Sequence, residues 1–247
     1  MDEPKWGAGR LLRVSAQIFR AHFTLIVLIC LAVYLPVYVI YQFIPVTNPF
    51  VMSGTELRVE NVEQFLVQAY IIIAVFIVFT PLASAAVAHI VRQALDRKPV
   101  TLSGVLDASL IKWPKLALTS LFFLVVLSVT SCLPPLTLYL GVACGFYVNL
   151  IALSDAWGFQ ALWQSRLLVK GRWWRTGLVF LIVWLAYLVY NQLYIVVLSL
   201  FSLNGVWQVL IATASEIPMR FFTLFLALYF IVILQVKAHP PEKNETD

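Results

Sequence analysis

Apolar residues in this chain run in long blocks, without the in–out alternation of a half-buried strand. Ile71-Ile72-Ile73-Ala74-Val75-Phe76-Ile77-Val78-Phe79 is apolar throughout, which excludes the alternating segments of about ten residues that build a transmembrane β-barrel. A helix needs roughly 20 mostly apolar residues to cross a hydrocarbon layer of about 30 Å. Six blocks answer that requirement, at 23–44, 65–88, 116–133, 136–153, 177–198 and 218–236. The pattern predicts an all-α polytopic integral membrane protein, with six transmembrane helices in three hairpins. An arm over 1–22 precedes the membrane domain over 23–236, and a polar tail over 237–247 follows it.

Prolines punctuate this plan. Pro134-Pro135 separates the third and fourth blocks and predicts a tight hairpin, because neither ring continues a helix. Pro36 and Pro81 fall inside blocks, where a membrane helix is expected to kink and continue. Two small-residue strips, Gly141-x-x-x-Gly145 and Ser84-x-x-x-Ala88, offer surfaces for close helix approach.

The polar positions between blocks carry the orientation signal. On one set of alternating ends stand Lys5, Arg10, Arg13 and Arg20, then Arg92, Arg97, Lys98, Lys112 and Lys115, then Arg166, Lys170, Arg172 and Arg175, and finally Lys237 and Lys243. Only Arg58 and Arg220 fall on the other side, so the basic side and both termini are expected to be cytoplasmic. The first block is too long for a signal-peptide core, and Pro45-Val46-Thr47-Asn48 is no cleavage site. The sequon at Asn244-Glu245-Thr246 then lies on the unglycosylated side.

Arg10, Arg13, Gln17 and Arg20 recur at helical spacing opposite Leu12, Ala16, Phe19 and Phe23, predicting an amphipathic helix along the cytoplasmic face. Ser165 to Trp173 aligns with Ser15 to Phe23 without a gap, and Asp107, Leu110, Ile111 and Lys112 repeat its beginning. Ser15, Asp107 and Ser165 are read as helix caps of three related units. The alternative is that any entry into a bilayer from the inner face favours a basic amphipathic junction.

Composition strengthens the membrane reading: 62% of the 247 residues are hydrophobic and 12% charged, against about 45–50% and about 25% in soluble domains. The net charge of +5 sits at block ends, so anionic phospholipid headgroups are the expected partner, with a membrane protein as a possible second partner and nucleic acid not expected. Lys170-Gly171-Arg172-Trp173-Trp174-Arg175 is the densest such stretch. Its indoles suit the headgroup level, and its arginines suit phosphate. Arg10, Arg13, Arg20, Lys170, Arg172, Trp173, Trp174 and Arg175 are therefore the candidate lipid contacts.

Chemistry is sparse elsewhere. Cys30, Cys132 and Cys144 lack metal or redox spacing and read as small buried hydrophobes. His22, His89 and His239 are scattered, and no metalloprotease, phosphate-loop, nucleophile-elbow or dinucleotide motif is present. No cofactor, metal or catalytic residue is expected. Asp155, Glu216 and Arg220 are placed near span ends, leaving no ionisable group at mid-span. Asn149, Asn191 and Gln192, with Thr80, Ser84, Ser120 and Ser128, are expected to bond between helices. Asn149, Asp155, Asn191 and Gln192 could alternatively line a path in a small-molecule or lipid transporter.

The chain resembles the bacterial glycerophosphoryl diester phosphodiesterase membrane-domain family, in its stand-alone YciC-like form. The resemblance rests on Ile18-Phe19-Arg20-Ala21-His22-Phe23, Leu35-Pro36, Leu95-Asp96-Arg97-Lys98-Pro99-Val100, Leu153-Ser154-Asp155, and the stretch from Ala161 to Arg175. Asp155 stands where relatives often have Glu, and Pro135 where they have Gly. The resemblance implies a bacterial inner-membrane module without the hydrolase domain, and it carries no catalytic residue onto this chain.

Overall fold

The computed structural model describes residues 7–43, 50–53, 56–59, 62–200 and 206–238. Lys5, residues 45–48, His239, Lys243 and the sequon at Asn244 lie outside the described residues. Among the described residues, nine helices and one short ribbon follow in order: α1 (Ala8–Ala21), α2 (Phe23–Gln42), β1 (Phe50–Ser53), β2 (Glu56–Val59), α3 (Val62–Leu95), α4 (Leu102–Thr130), α5 (Pro134–Cys144), α6 (Tyr147–Leu153), α7 (Gly158–Val169), α8 (Trp173–Leu200) and α9 (Val206–Ala238). The antiparallel β1–β2 ribbon, which the block pattern does not predict, pairs Phe50 with Val59 and Ser53 with Glu56.

Among the described residues, six helical segments are long and apolar enough to cross a membrane: α2, the 77–95 part of α3, α4, α5 with α6, α8 and α9. This agrees with the six predicted blocks and marks the chain as an integral membrane protein. Exposure supports the same conclusion. Among the described side chains of α8, only Thr176 is buried, while Leu178, Leu181, Ile182, Trp184 and Leu185 are all exposed. A contiguous apolar face of that size is unfavourable in water and normal against lipid.

The core centres on the small-residue run of α3. Ala83, Ala85, Ala86, Val87 and Ala88 are fully buried, and α3 packs against α2, α4, α6 and α9. Short side chains let four helices approach one axis closely, which is the packing expected where lipid offers no hydrophobic drive. The second strip divides: a Cβ on Gly145 would stand 2.6 Å from Phe180 Cζ, whereas one on Gly141 would meet nothing within 4 Å.

Prolines behave as expected in α2 and α3, which continue through Pro36 and Pro81. Trp113 Nε1 donates to Val78 O at 2.8 Å and Ser84 Oγ to Thr80 O at 3.1 Å, adding donors around the bond that Pro81 removes. Pro134 and Pro135 open α5, and the hairpin from α4 is tied by Leu133 N to Thr130 O at 2.8 Å and Thr137 Oγ1 to Thr130 O at 2.6 Å. Pro218 departs from its predicted role. It lies inside the 33-residue α9 and does not begin it.

The three junctions proposed as related units differ. α1 and α2 meet at the single residue His22, α4 runs unbroken through Lys112 and Pro114, and α7 and α8 are joined through Gly171 at φ 86°. Nor do Ser15, Asp107 and Ser165 cap helices: each lies inside α1, α4 or α7, and both serines are fully buried. On α1 the buried face is Leu11, Ser15 and Ile18, packed toward α9, while Leu12 remains exposed. Arg10, Arg13 and Arg20 stay outward, as the pattern predicts. Among the cysteines, Cys30 and Cys144 are buried, but Cys132, in the α4–α5 turn, is exposed.

Candidate basic-aromatic site and buried ion pair

The fourth apolar block is broken between α5 and α6, at Gly145 and Phe146. A break leaves backbone donors and acceptors unpaired inside apolar surroundings. Ser165 of α7 repairs it, accepting from Phe146 N at 3.2 Å and donating to Ala143 O at 2.9 Å. One buried hydroxyl thus locks α7 against the break. Ala161, Leu162, Ser165, Leu168 and Val169 face inward, and Trp163, Arg166, Leu167 and Lys170 are left outward.

Gly171 then turns the chain in a left-handed conformation that favours glycine, and α8 starts at Trp173. The result is a recess of about 260 Å³ whose lining includes Tyr139, Trp163, Arg166, Lys170, Gly171 and Trp173. Tyr139 stacks on Trp173 at 6.0 Å between centroids, Trp174 meets Trp173 edge-on at 4.8 Å, and the Arg166 guanidinium lies 5.1 Å from the Trp163 ring. The buried indole Nε1 of Trp173 has no acceptor among the described residues. Beside the recess, Gly171, Arg172, Trp173, Trp174 and Arg175 line a second hollow.

Lys237, near the end of α9, donates to Leu167 O and lies in electrostatic range of Arg172 and Lys170. Arg166, Lys170, Arg172, Arg175 and Lys237 make no ion pair with any carboxylate among the described residues. Concentrated positive charge of this kind requires counter-ions, and the open first-turn amides of α8 add to the same field. The structure therefore gathers Lys170, Arg172, Trp173, Trp174 and Arg175 into one corner, together with Arg166 and Lys237, which sequence reasoning did not assign. Arg10, Arg13 and Arg20 sit on a different element, α1.

A second polar site, outside the candidate residues that the sequence pattern gives, lies on α9. Glu216 and Arg220 lie inside the 33-residue α9 and are 8% and 5% exposed. Arg220 Nη2 donates to Glu216 Oε2 at 2.9 Å, the Tyr38 hydroxyl donates to Glu216 Oε1 at 2.8 Å, and the guanidinium carbon lies 5.0 Å from the Tyr34 ring centroid. Arg220 Nη1 is buried without a partner among the described residues. The i,i+4 spacing of acid and base is the sequence signal that could have identified the pair.

The other predicted polar residues are dispersed. Asn149 is buried in α6, while Asp155 projects from the α6–α7 connection 3.9 Å from Lys112. Asn191 and Gln192 lie on α8, about 27 Å along its axis from Trp173. Lys112 also donates to Ala152 O at 3.1 Å and Ser154 O at 2.6 Å, so its charge closes the end of α6. Ser120 bonds between helices, to the Tyr147 hydroxyl at 2.9 Å, whereas Ser84 bonds within α3. Among the described residues, no three His, Cys, Asp or Glu side chains gather as a metal site. Comparison with family models, curated proteins and solved structures finds no match.

Proposed function

We propose that this protein is a non-catalytic membrane module that holds anionic phospholipid at the inner leaflet of a bacterial cytoplasmic membrane and presents that face to a membrane partner. The observation that carries the reading is the aromatic-walled recess at the α7–α8 corner, framed by cations with no carboxylate partner among the described residues. In this reading the basic ends and both termini face the cytoplasm, α1 lies along that surface, and the spans pair as three hairpins.

The test is lipid retention on purification from native membranes. Each basic residue near an anionic surface contributes about 1 kcal/mol, so Arg172→Gln with Arg175→Gln is expected to reduce bound phosphatidylglycerol or cardiolipin more than tenfold. Retention equal to the parent chain would contradict the proposal.

A transporter is the second reading, and the Glu216–Arg220 pair favours it, since ionisable groups within membrane helices commonly mark solute or proton paths. It requires uptake into proteoliposomes that Glu216→Gln abolishes. Absence of uptake by the parent chain would remove it.

A further inference from the structure

The helices α5 and α8, which contribute to the basic recess, also line an apolar groove. The groove encloses about 600 Å³, and its lining includes Leu138, Gly141, Val142, Gly177, Leu181 and Trp184. On α5, Tyr139 and Ala143 line the recess, while their chain neighbours Leu138 and Val142 line the groove. On α8, Trp173 belongs to the recess and Gly177, one turn further, to the groove.

Two glycines make the groove deep. Nothing lies within 4 Å of where a Gly141 Cβ would stand, and a Gly177 Cβ would only touch Val142, at 3.8 Å. Leu138, Leu181 and Trp184 remain exposed on the rim. From Trp173 to Trp184 the axis of α8 rises about 16 Å. That is close to half of a hydrocarbon layer of about 30 Å, the depth of a single leaflet.

We propose that the α5–α8 seam binds one whole anionic phospholipid, with its phosphate at Arg166 and Lys170 and one acyl chain laid along Gly141 and Gly177 toward Trp184. The inference rests on the lipid-binding reading above and adds the chain site to it. Charge selects the occupant: a neutral lipid or an apolar peptide would fill the groove but leave the cations Arg166 and Lys170 unanswered. An anion without a chain would leave the groove empty.

The test measures phosphatidylglycerol bound to the full chain in detergent by native mass spectrometry, with glycerol phosphate and inorganic phosphate as chainless probes. Gly141→Leu places a side chain in the groove without altering charge, and is expected to weaken phosphatidylglycerol binding about fivefold, the order of apolar packing in lipid. The thermal midpoint of Gly141→Leu in detergent, expected to match that of the parent because nothing lies within 4 Å of the Gly141 Cβ position, serves as the folding control. A phosphatidylglycerol carrying a photoreactive group on its acyl chain is expected to crosslink to the parent chain between Leu181 and Trp184.

Loss on Gly141→Leu with crosslinking at that site supports the seam. If Gly141→Leu binds as the parent does while Arg172→Gln/Arg175→Gln loses lipid, the chain site is wrong and the headgroup reading stands. If all variants retain lipid equally, both fall. Binding of the chainless probes as tight as that of the lipid also overturns the chain site.

Discussion

Glu216 and Arg220 are two charges held in an apolar bundle, and their partners show how that is tolerated. Each is bonded to the other, Tyr38 adds a hydrogen bond and Tyr34 a ring face. Breaking such a pair leaves one uncompensated charge, so Glu216→Gln or Arg220→Leu is expected to destabilise the folded chain by about 3–5 kcal/mol, read by denaturant titration in detergent micelles. Glu216→Leu with Arg220→Leu removes both charges together and is expected to cost far less than either single change, because the desolvation penalty leaves with them. Additive losses would mean that the two side chains are not coupled. Ser165 acts at the same scale. Ser165→Ala strands Phe146 N and Ala143 O and should cost about 1–3 kcal/mol in the same assay. Such details were hard to read from the sequence because a buried hydroxyl shows its role only through the partner that distant folding brings to it. Local spacing alone therefore reads Ser165 as a cap.

At the scale of elements, the apolar blocks located every membrane helix, since a run long enough to cross lipid has few other stable forms. Their ends were less legible. α9 begins at Val206, well before Pro218, because a membrane helix can continue through a proline ring. The fourth block reads as one span and is two helices, a break with no signal beyond Gly145. Close contact there yields a sharp expectation. Gly145→Ala drives a methyl into Phe180 and is expected to lower stability by about 1–3 kcal/mol, with Phe180→Leu in the same chain recovering part of the loss. The exit of α3 offers the opposite change: Arg97 sits at φ 54°, where Lys98 N bonds Gln93 O at 2.9 Å. Arg97→Gly should therefore stabilise the chain by about 1 kcal/mol, seen as a higher thermal midpoint.

For the whole molecule, the basic residues give the bundle a direction. Arg220, once set against that rule, now counts as half of a buried pair, and Arg58 alone remains as an exception. The basic-aromatic corner was partly legible because Lys170 to Arg175 is contiguous in sequence. Arg166 and Lys237 joined it only when α7 folded back on the α5–α6 break and α9 returned beside it. Both proposals, the headgroup site and the acyl seam, require these basic ends to share one side of the membrane. The direct measurement uses a chain in which Cys30→Ala, Cys132→Ser and Cys144→Ala remove the native thiols and a single cysteine is introduced as Glu63→Cys, Lys98→Cys or Asp155→Cys. Probed with a membrane-impermeant thiol reagent in intact cells and in inverted vesicles, Glu63→Cys should react only in cells, and Lys98→Cys and Asp155→Cys only in inverted vesicles. Reaction of the Lys98 and Asp155 positions from opposite sides would contradict the account.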